Sequence, residues 1–182
     1  MELWKMELRH EEQAGMRGRV VMRAYPAGLL PWLMRCGMEY DRARHKAAEW
    51  VEHTVESDNI IVTSGKVLVA QMLMEETGYD TGITYFAIGT DSTTPVVGDT
   101  ALGTESARLT ITSTSRTVNA VTFSTFFTVA QSTYNIKECG LFGHSTAGAG
   151  SGSGELFNHA AVAFDNSGGS YDLTFDVVIT FG

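Results

Sequence analysis

The tightest constraint on the fold is the stretch Tyr171–Phe181, where Tyr171, Leu173, Phe175, Val177, Ile179 and Phe181 alternate with Asp172, Thr174, Asp176, Val178 and Thr180. A period of two puts each set on its own side of an extended chain, whereas a helix would scatter both sets around its axis. Val121, Phe123, Thr125, Phe127 and Val129 repeat the alternation against Thr122, Ser124, Phe126, Thr128 and Ala130, giving one apolar and one mixed face. A large apolar side chain contributes about 1.5–3 kcal/mol when fully buried. These two strands therefore predict much of the core of an antiparallel β-sandwich.

The earlier part of the chain reads less uniformly. Met1 to Gly15 permits a strand, a helix or neither. Arg17 to Tyr25 predicts a strand centred on Val20, Val21 and Met22 and stopped by Pro26-Ala27-Gly28. Leu29, Leu30, Trp32, Leu33 and Met34 then form an apolar cluster around a proline, which reads either as core or as a plug for a neighbouring subunit. The Ala, Arg, Lys and Glu of positions 40 to 56 predict a helix whose less polar face holds Ala47, Trp50, Val51 and Thr54. Positions 59 to 62 predict a brief strand. Ser64 then reads as the N-cap of a helix over 65–77 that is apolar nearly all round and needs cover on more than one side, with Gly78 after it.

Charge divides the chain. Residues 1–50 hold nine Lys and Arg against seven Asp and Glu, and residues 51–182 hold four against fourteen, for a net charge of −8. An acidic body repels a nucleic-acid backbone, so no nucleic-acid partner is expected. No apolar run approaches a membrane span, and the charged first residues are unlike a signal peptide, so no membrane partner is expected and synthesis in a cytoplasm fits. Two cysteines, Cys36 and Cys139, without a CxxC, suit a reduced compartment and two free thiols.

The residues do not assemble a reaction centre, and no enzyme activity or cofactor is expected. The glycines of 148–154 lack the spacing of a dinucleotide or phosphate loop and read as a flexible hairpin tip. Cys139 sits in a Leu-Phe strand as a small core residue, His159 reads as a sheet residue, and Cys36, Cys139, His144 and His159 lack the paired spacing of a zinc site. Asp91, Asp99 and Glu105 would offer oxygens to Ca²⁺, yet the EF-hand spacing is missing and a solvated loop accounts for them.

Positions 83 to 108 hold the most distinctive motif. Ile83 to Ile88 is rich in strand-forming residues, Gly89 opens a long polar loop, and Leu102, Glu105 and Arg108 follow at intervals of three. That spacing predicts a helical turn with Glu105 and Arg108 on one face, and Arg108 is expected to pair with Glu105 or with Glu138, tying the loop to the 136–140 strand. The set Ile83, Ala87, Ile88, Gly89, Asp91, Thr100, Leu102, Glu105 and Arg108, then Ile136, Glu138, Gly140, Leu141 and Phe142, then Gly154 and Leu156, resembles the N-terminal attachment domain of bacteriophage tail fibres, the tail-collar type, and related small virion proteins. The resemblance covers roughly the last two-thirds of the chain.

The resemblance implies a structural role, with Gly89, Asp91, Leu102, Glu105, Arg108, Glu138, Gly140, Leu141 and Phe142 as its motif. No repetitive shaft follows the motif, which favours a small tail, baseplate or neck connector over a complete fibre. The fold class expected is mainly β with one or two helices (α+β): an antiparallel β-sandwich with an N-terminal arm. Residues 1–58 would be the arm and assembly segment, and 59–182 a β-sandwich attachment-like domain with a lead-in helix. The implied partners are other virion proteins and further copies of the chain in a ring. The implied place is the virion, after synthesis in a host cytoplasm. A receptor- or carbohydrate-binding module, with Tyr79, Tyr85 and Tyr134 as stacking surfaces, and a capsid decoration protein are the alternatives.

Overall fold

Residues 15–79 and 81–182 are described by the computed structural model. Nine strands form one antiparallel sheet: β1 Met16–Pro26, β2 His53–Ile61, β3 Ile83–Gly89, β4 Glu105–Thr110, β5 Ser113–Arg116, β6 Ala120–Phe127, β7 Asn135–Gly143, β8 Glu155–Asp165 and β9 Tyr171–Phe181. Their spatial order is β4-β3-β7-β8-β2-β1-β9-β6-β5. The mainly β, α+β class expected from the alternation holds. In place of the two separate sheets of a sandwich, the structure has a single curled sheet whose two halves face each other.

One strand and one short connection make the corners. His53 to Asn59 of β2 pair with β1, and Ile60 and Ile61 pair with β8, so one strand serves both halves. The second corner follows from chain order, because β4 and β5 stand at opposite ends of the sheet yet are separated by only Ile111 and Thr112. Ile111 donates its N–H to Thr84 O (2.9 Å) on β3, and Thr112 donates to Ser124 O (2.8 Å) on β6. The connection thus bonds to β3 and β6, the strands next to the two edges, and closes the curl, as bent strands do where sheets turn corners.

The core fills the space between the halves. Phe86 of β3, Phe127 of β6 and Phe175 of β9 meet with ring centroids 5.0–6.1 Å apart, although β3 and β6 are distant in the sheet order. Val20, Met22, Leu141, Phe157, Leu173 and Val177 surround them and are all buried. A second apolar layer covers the outer face of β1, β9 and β6. There α1 Leu29–Arg35 and α2 Tyr40–Lys46 seat Leu30, Leu33, Ala43 and Ala47 on Tyr25 and Phe126. Strand β9 is consequently buried on both faces, and Asp172, Thr174 and Asp176 lie under the helices. Asp172 accepts the N–H of Gly28 (2.7 Å) and of Val129 (2.8 Å), pinning the start of α1 and the end of β6. Its burial raises its pKa above the ordinary aspartate value.

Several expectations are corrected here. The proposed arm is integral to the fold where it is described: β1 pairs with β2 on one side and β9 on the other, and a boundary between residues 58 and 59 would cut β2 in two. The remainder of the arm, residues 1–14, lies outside the described residues. Of the apolar cluster at 29–34, Leu30 and Leu33 are consumed by the chain's own second layer, while Trp32 and Met34 stay exposed. The helix expected over 40–56 stops at Lys46 and, after a 3₁₀ turn at Ala48–Trp50, yields to β2, because pairing with β1 overrides a moderate helix propensity. The next helix, α3 Thr63–Leu73, is also shorter than expected and covered on one side only. Gly65 lies against the Phe157 backbone and Leu68 enters the core, whereas Val67 and Leu73 face outward. Ser64 bonds Leu156 O (2.8 Å) instead of capping the helix.

Candidate functional site

The motif residues converge on the outer face of β4-β3-β7-β8, under the loop of residues 90–104. Register explains the convergence. Arg108, Ala87, Gly140 and His159 form one row across the four strands, and Glu105, Gly89, Glu138 and Ala161 form the next. Simple alternation along a strand would set Glu105 and Arg108 on opposite faces. Ala107 pairs with Ile88 and Glu105 with Gly89, so Ser106 is an extra residue, and this bulge returns Glu105 to the face of Arg108. The predicted shared face is therefore real, but β4 is a strand and the bulge produces what a helical turn was expected to produce.

Arg108 is buried and forms a two-pronged pair with Glu105, Nε to Oε1 at 2.8 Å and Nη2 to Oε2 at 2.6 Å. Its Nη1 donates to Ser153 O at 2.5 Å, and its guanidinium carbon stands 3.8 Å from the centroid of the Phe142 ring. The arginine thus joins β4, β7 and the 144–154 hairpin tip. That tip is more ordered than its composition predicts, since Ser153 Oγ also lies within hydrogen-bond distance of the Gly148 and Gly150 carbonyls.

Glu138 does for the loop what Arg108 does for the tip. Its Oε1 accepts from Thr104 N (2.7 Å) and Asp91 N (3.3 Å), and its Oε2 from Gly103 N (2.9 Å) and His159 Nε2 (2.9 Å). Four polar hydrogen-bond partners surround the one carboxyl group of Glu138. The other ring nitrogen of His159 faces Asp99 Oδ2 at 2.7 Å, so both contacts are hydrogen bonds when the imidazole carries two protons. Asp99 also accepts Val96 N (2.8 Å), and the next residue along, Val97, offers its carbonyl to Thr63 N (2.8 Å) at the start of α3.

Small residues make room for this arrangement. A side chain on Gly89 would run into the Glu138 carboxylate and Thr104 O, and one on Gly140 would meet Asn158 O and press on Leu102. Leu102 instead packs with Ala87, Phe142, Leu156 and Val62, forming an apolar plug beneath the loop. Leu141 points the other way, into the main core.

Asp91, Asp99 and Glu105, weighed as Ca²⁺ ligands, do not meet. Asp91 Oδ1 accepts Thr93 N (2.9 Å) and Thr93 Oγ1 (2.8 Å), Asp99 holds His159, and Glu105 holds Arg108. The Thr93 bonds hold the Asp91 carboxyl below the ordinary aspartate range. Among the described residues no group of three His, Cys, Asp or Glu converges as a metal site. The three tyrosines weighed as sugar platforms are half-buried. Tyr79 bonds Glu155 (3.1 Å) and packs on His144 with centroids 4.5 Å apart, Tyr85 joins the Leu102 cluster, and Tyr134 packs on the main core.

Asp99 and His159 are central to the site, but the sequence reads Asp99 as a loop carboxylate weighed for Ca²⁺ and His159 as a sheet residue and does not bring them together. The available signal was a histidine inside the apolar run of β8, but pairing it with Asp99 requires the loop to fold back over 60 residues of chain. No family model, curated protein or solved structure matches the chain.

Proposed function

We propose that the protein is a structural component of a bacteriophage particle, a tail, baseplate or neck connector that docks on a ring of the particle and touches neighbouring subunits. The observation that carries this reading is the saturation of the motif. Glu105, Arg108, Glu138, His159 and Asp99 spend their hydrogen-bonding capacity on one another and on backbone groups of the loop, as expected of groups that fix a shape. The loop so held exposes Val96 and Val97, each about half accessible. On the other half of the sheet Trp32 and Met34 are exposed on α1, and these two, freed from the rest of the apolar cluster, are the assigned contacts to neighbouring subunits. Copies in a closed ring would each present the same surface.

Labelling of intact particles tests the proposal. A connector is found at the tail or neck in fixed copy number. Label confined to an exposed fibre tip would favour the receptor-binding alternative, and label spread over the head a decoration protein. Sedimentation of the purified chain, with Trp32→Ala weakening assembly while leaving the circular dichroism spectrum intact, tests the subunit contact.

A further inference from the structure

The outer face of the β1-β9-β6 half carries a second polar constellation, remote from the loop hub and independent of the assembly reading. Asp176 of β9 accepts Arg23 Nη1 of β1 at 2.5 Å, Arg44 Nη1 of α2, and Ser124 Oγ of β6 at 2.6 Å. The carboxylate is buried, while the two arginine side chains are 34% and 26% accessible. Both arginines line a cavity of about 520 Å³ together with Tyr25 and with Ser113 and Ser115 of β5.

The donors around this cavity suit an oxyanion. The hydrogen bonds found for the two arginines among the described residues all leave from Nη1, to Asp176 in both and also to Ser124 Oγ (3.3 Å) from Arg44, whose guanidinium stands 5.7 Å from the Tyr40 ring centre. A guanidinium presents a planar fork of donors matched to carboxylate or phosphate oxygens, and a fork already fixed by a buried carboxylate loses less freedom on binding. Two guanidiniums against one carboxylate leave one positive charge in the triplet, in a chain whose net charge is −8. The other carboxylate on the lining, Asp41, accepts Ser113 Oγ at 3.0 Å and keeps its negative charge, so the excess positive charge is local to the Asp176 triplet. The volume lies within the range of about 300–1,000 Å³ usual for small-ligand sites.

We propose that this cavity binds a small polyol bearing one oxyanion, of the acidic-sugar or sugar-phosphate class. The carboxylate or phosphate meets the guanidinium donors of Arg23 and Arg44, and the ligand hydroxyls meet Ser113 and Ser115.

Titration of the full chain with glucuronate, glucose 6-phosphate and glucose, followed by calorimetry or amide shifts, tests it. At least one of the two acids binds and glucose does not, and whichever acid is tighter identifies the oxyanion. Ser115→Glu places a negative charge on an exposed edge position outside the Asp176 triplet and is expected to weaken acid binding by about tenfold or more through like-charge repulsion. Arg44→Met abolishes binding in protein that still unfolds cooperatively. Failure of both acids to bind, glucose binding as tightly as glucuronate, or full affinity in folded Ser115→Glu would each overturn the proposal.

Discussion

Arg108 stands with its guanidinium carbon 3.8 Å from the centre of the Phe142 ring while both of its remaining prongs hold the buried Glu105 carboxylate. One side chain therefore carries charge pairing, ring stacking and a bond to the hairpin tip. Removing one partner of a buried pair costs about 3–5 kcal/mol because the other charge is left unpaired. Arg108→Ala is expected to lower the unfolding free energy from urea titration by that order, and the midpoint with it, with the exposed Arg17→Ala within about 0.5 kcal/mol of the parent. Equal midpoints for the two variants would show the clamp to be inert.

Glu138→Gln keeps the shape of the side chain but replaces one acceptor oxygen with an NH₂ group facing donors. Gly103 N–H, Thr104 N–H or His159 then loses its partner, at about 1–3 kcal/mol per unsatisfied group. Hydrogen exchange at Asp91, Gly103 and Thr104 should accelerate while exchange in β9 changes least. Unaltered protection at all three amides would remove Glu138 from its role as the loop anchor.

Residues 59–182 alone are expected not to fold. The truncation removes β1 and most of β2, leaves β9 unpaired along one side, and takes Val20, Met22 and Ala24 out of the core. Differential scanning calorimetry of the fragment should show no cooperative transition. A sharp transition would restore the separable arm read from the sequence.

Cys36 is exposed and Cys139 fully buried, with burial pushing the Cys139 thiol far above its ordinary pKa. The thiolate is the reactive form. A thiol reagent under native conditions should therefore label Cys36 alone and reach both only in denaturant, as counted by intact-mass spectrometry. Rapid double labelling of native protein would contradict the burial of β7.

Asp172 and Asp91 are shifted in opposite directions, so their contributions to stability have opposite pH dependence. The folded value of Asp172 is raised, so its stabilising contribution is fully present below the unfolded value, about 4, and is lost as pH rises through the folded value. The folded value of Asp91 is lowered, so its contribution is present above about 4 and lost as pH falls through the folded value. Carboxyl-carbon NMR titration should place the Asp172 midpoint above that of Asp91, and the reverse order would show that desolvation is not the dominant influence on Asp172.

What the sequence determined by itself was everything encoded at short range. The alternation in Tyr171–Phe181 and at Ala120–Phe127 required strands, and Pro26-Ala27-Gly28 placed the end of β1. The spacing of Glu105 and Arg108 also announced a pair, although their common face comes from a bulge at Ser106 that exists only once β4 lies beside β3. Tertiary structure alone decided the rest. Residues 53–58 are strand because β1 offers them a hydrogen-bonding edge, and Leu30 and Leu33 are core because α1 folds onto Tyr25 and Phe126. His159 joins Asp99 and Glu138, and Asp176 gathers Arg23 and Arg44, from positions between 21 and 153 residues apart. No local pattern encodes such meetings, because the free energy that fixes them is released only when the closing of the sheet removes those groups from water.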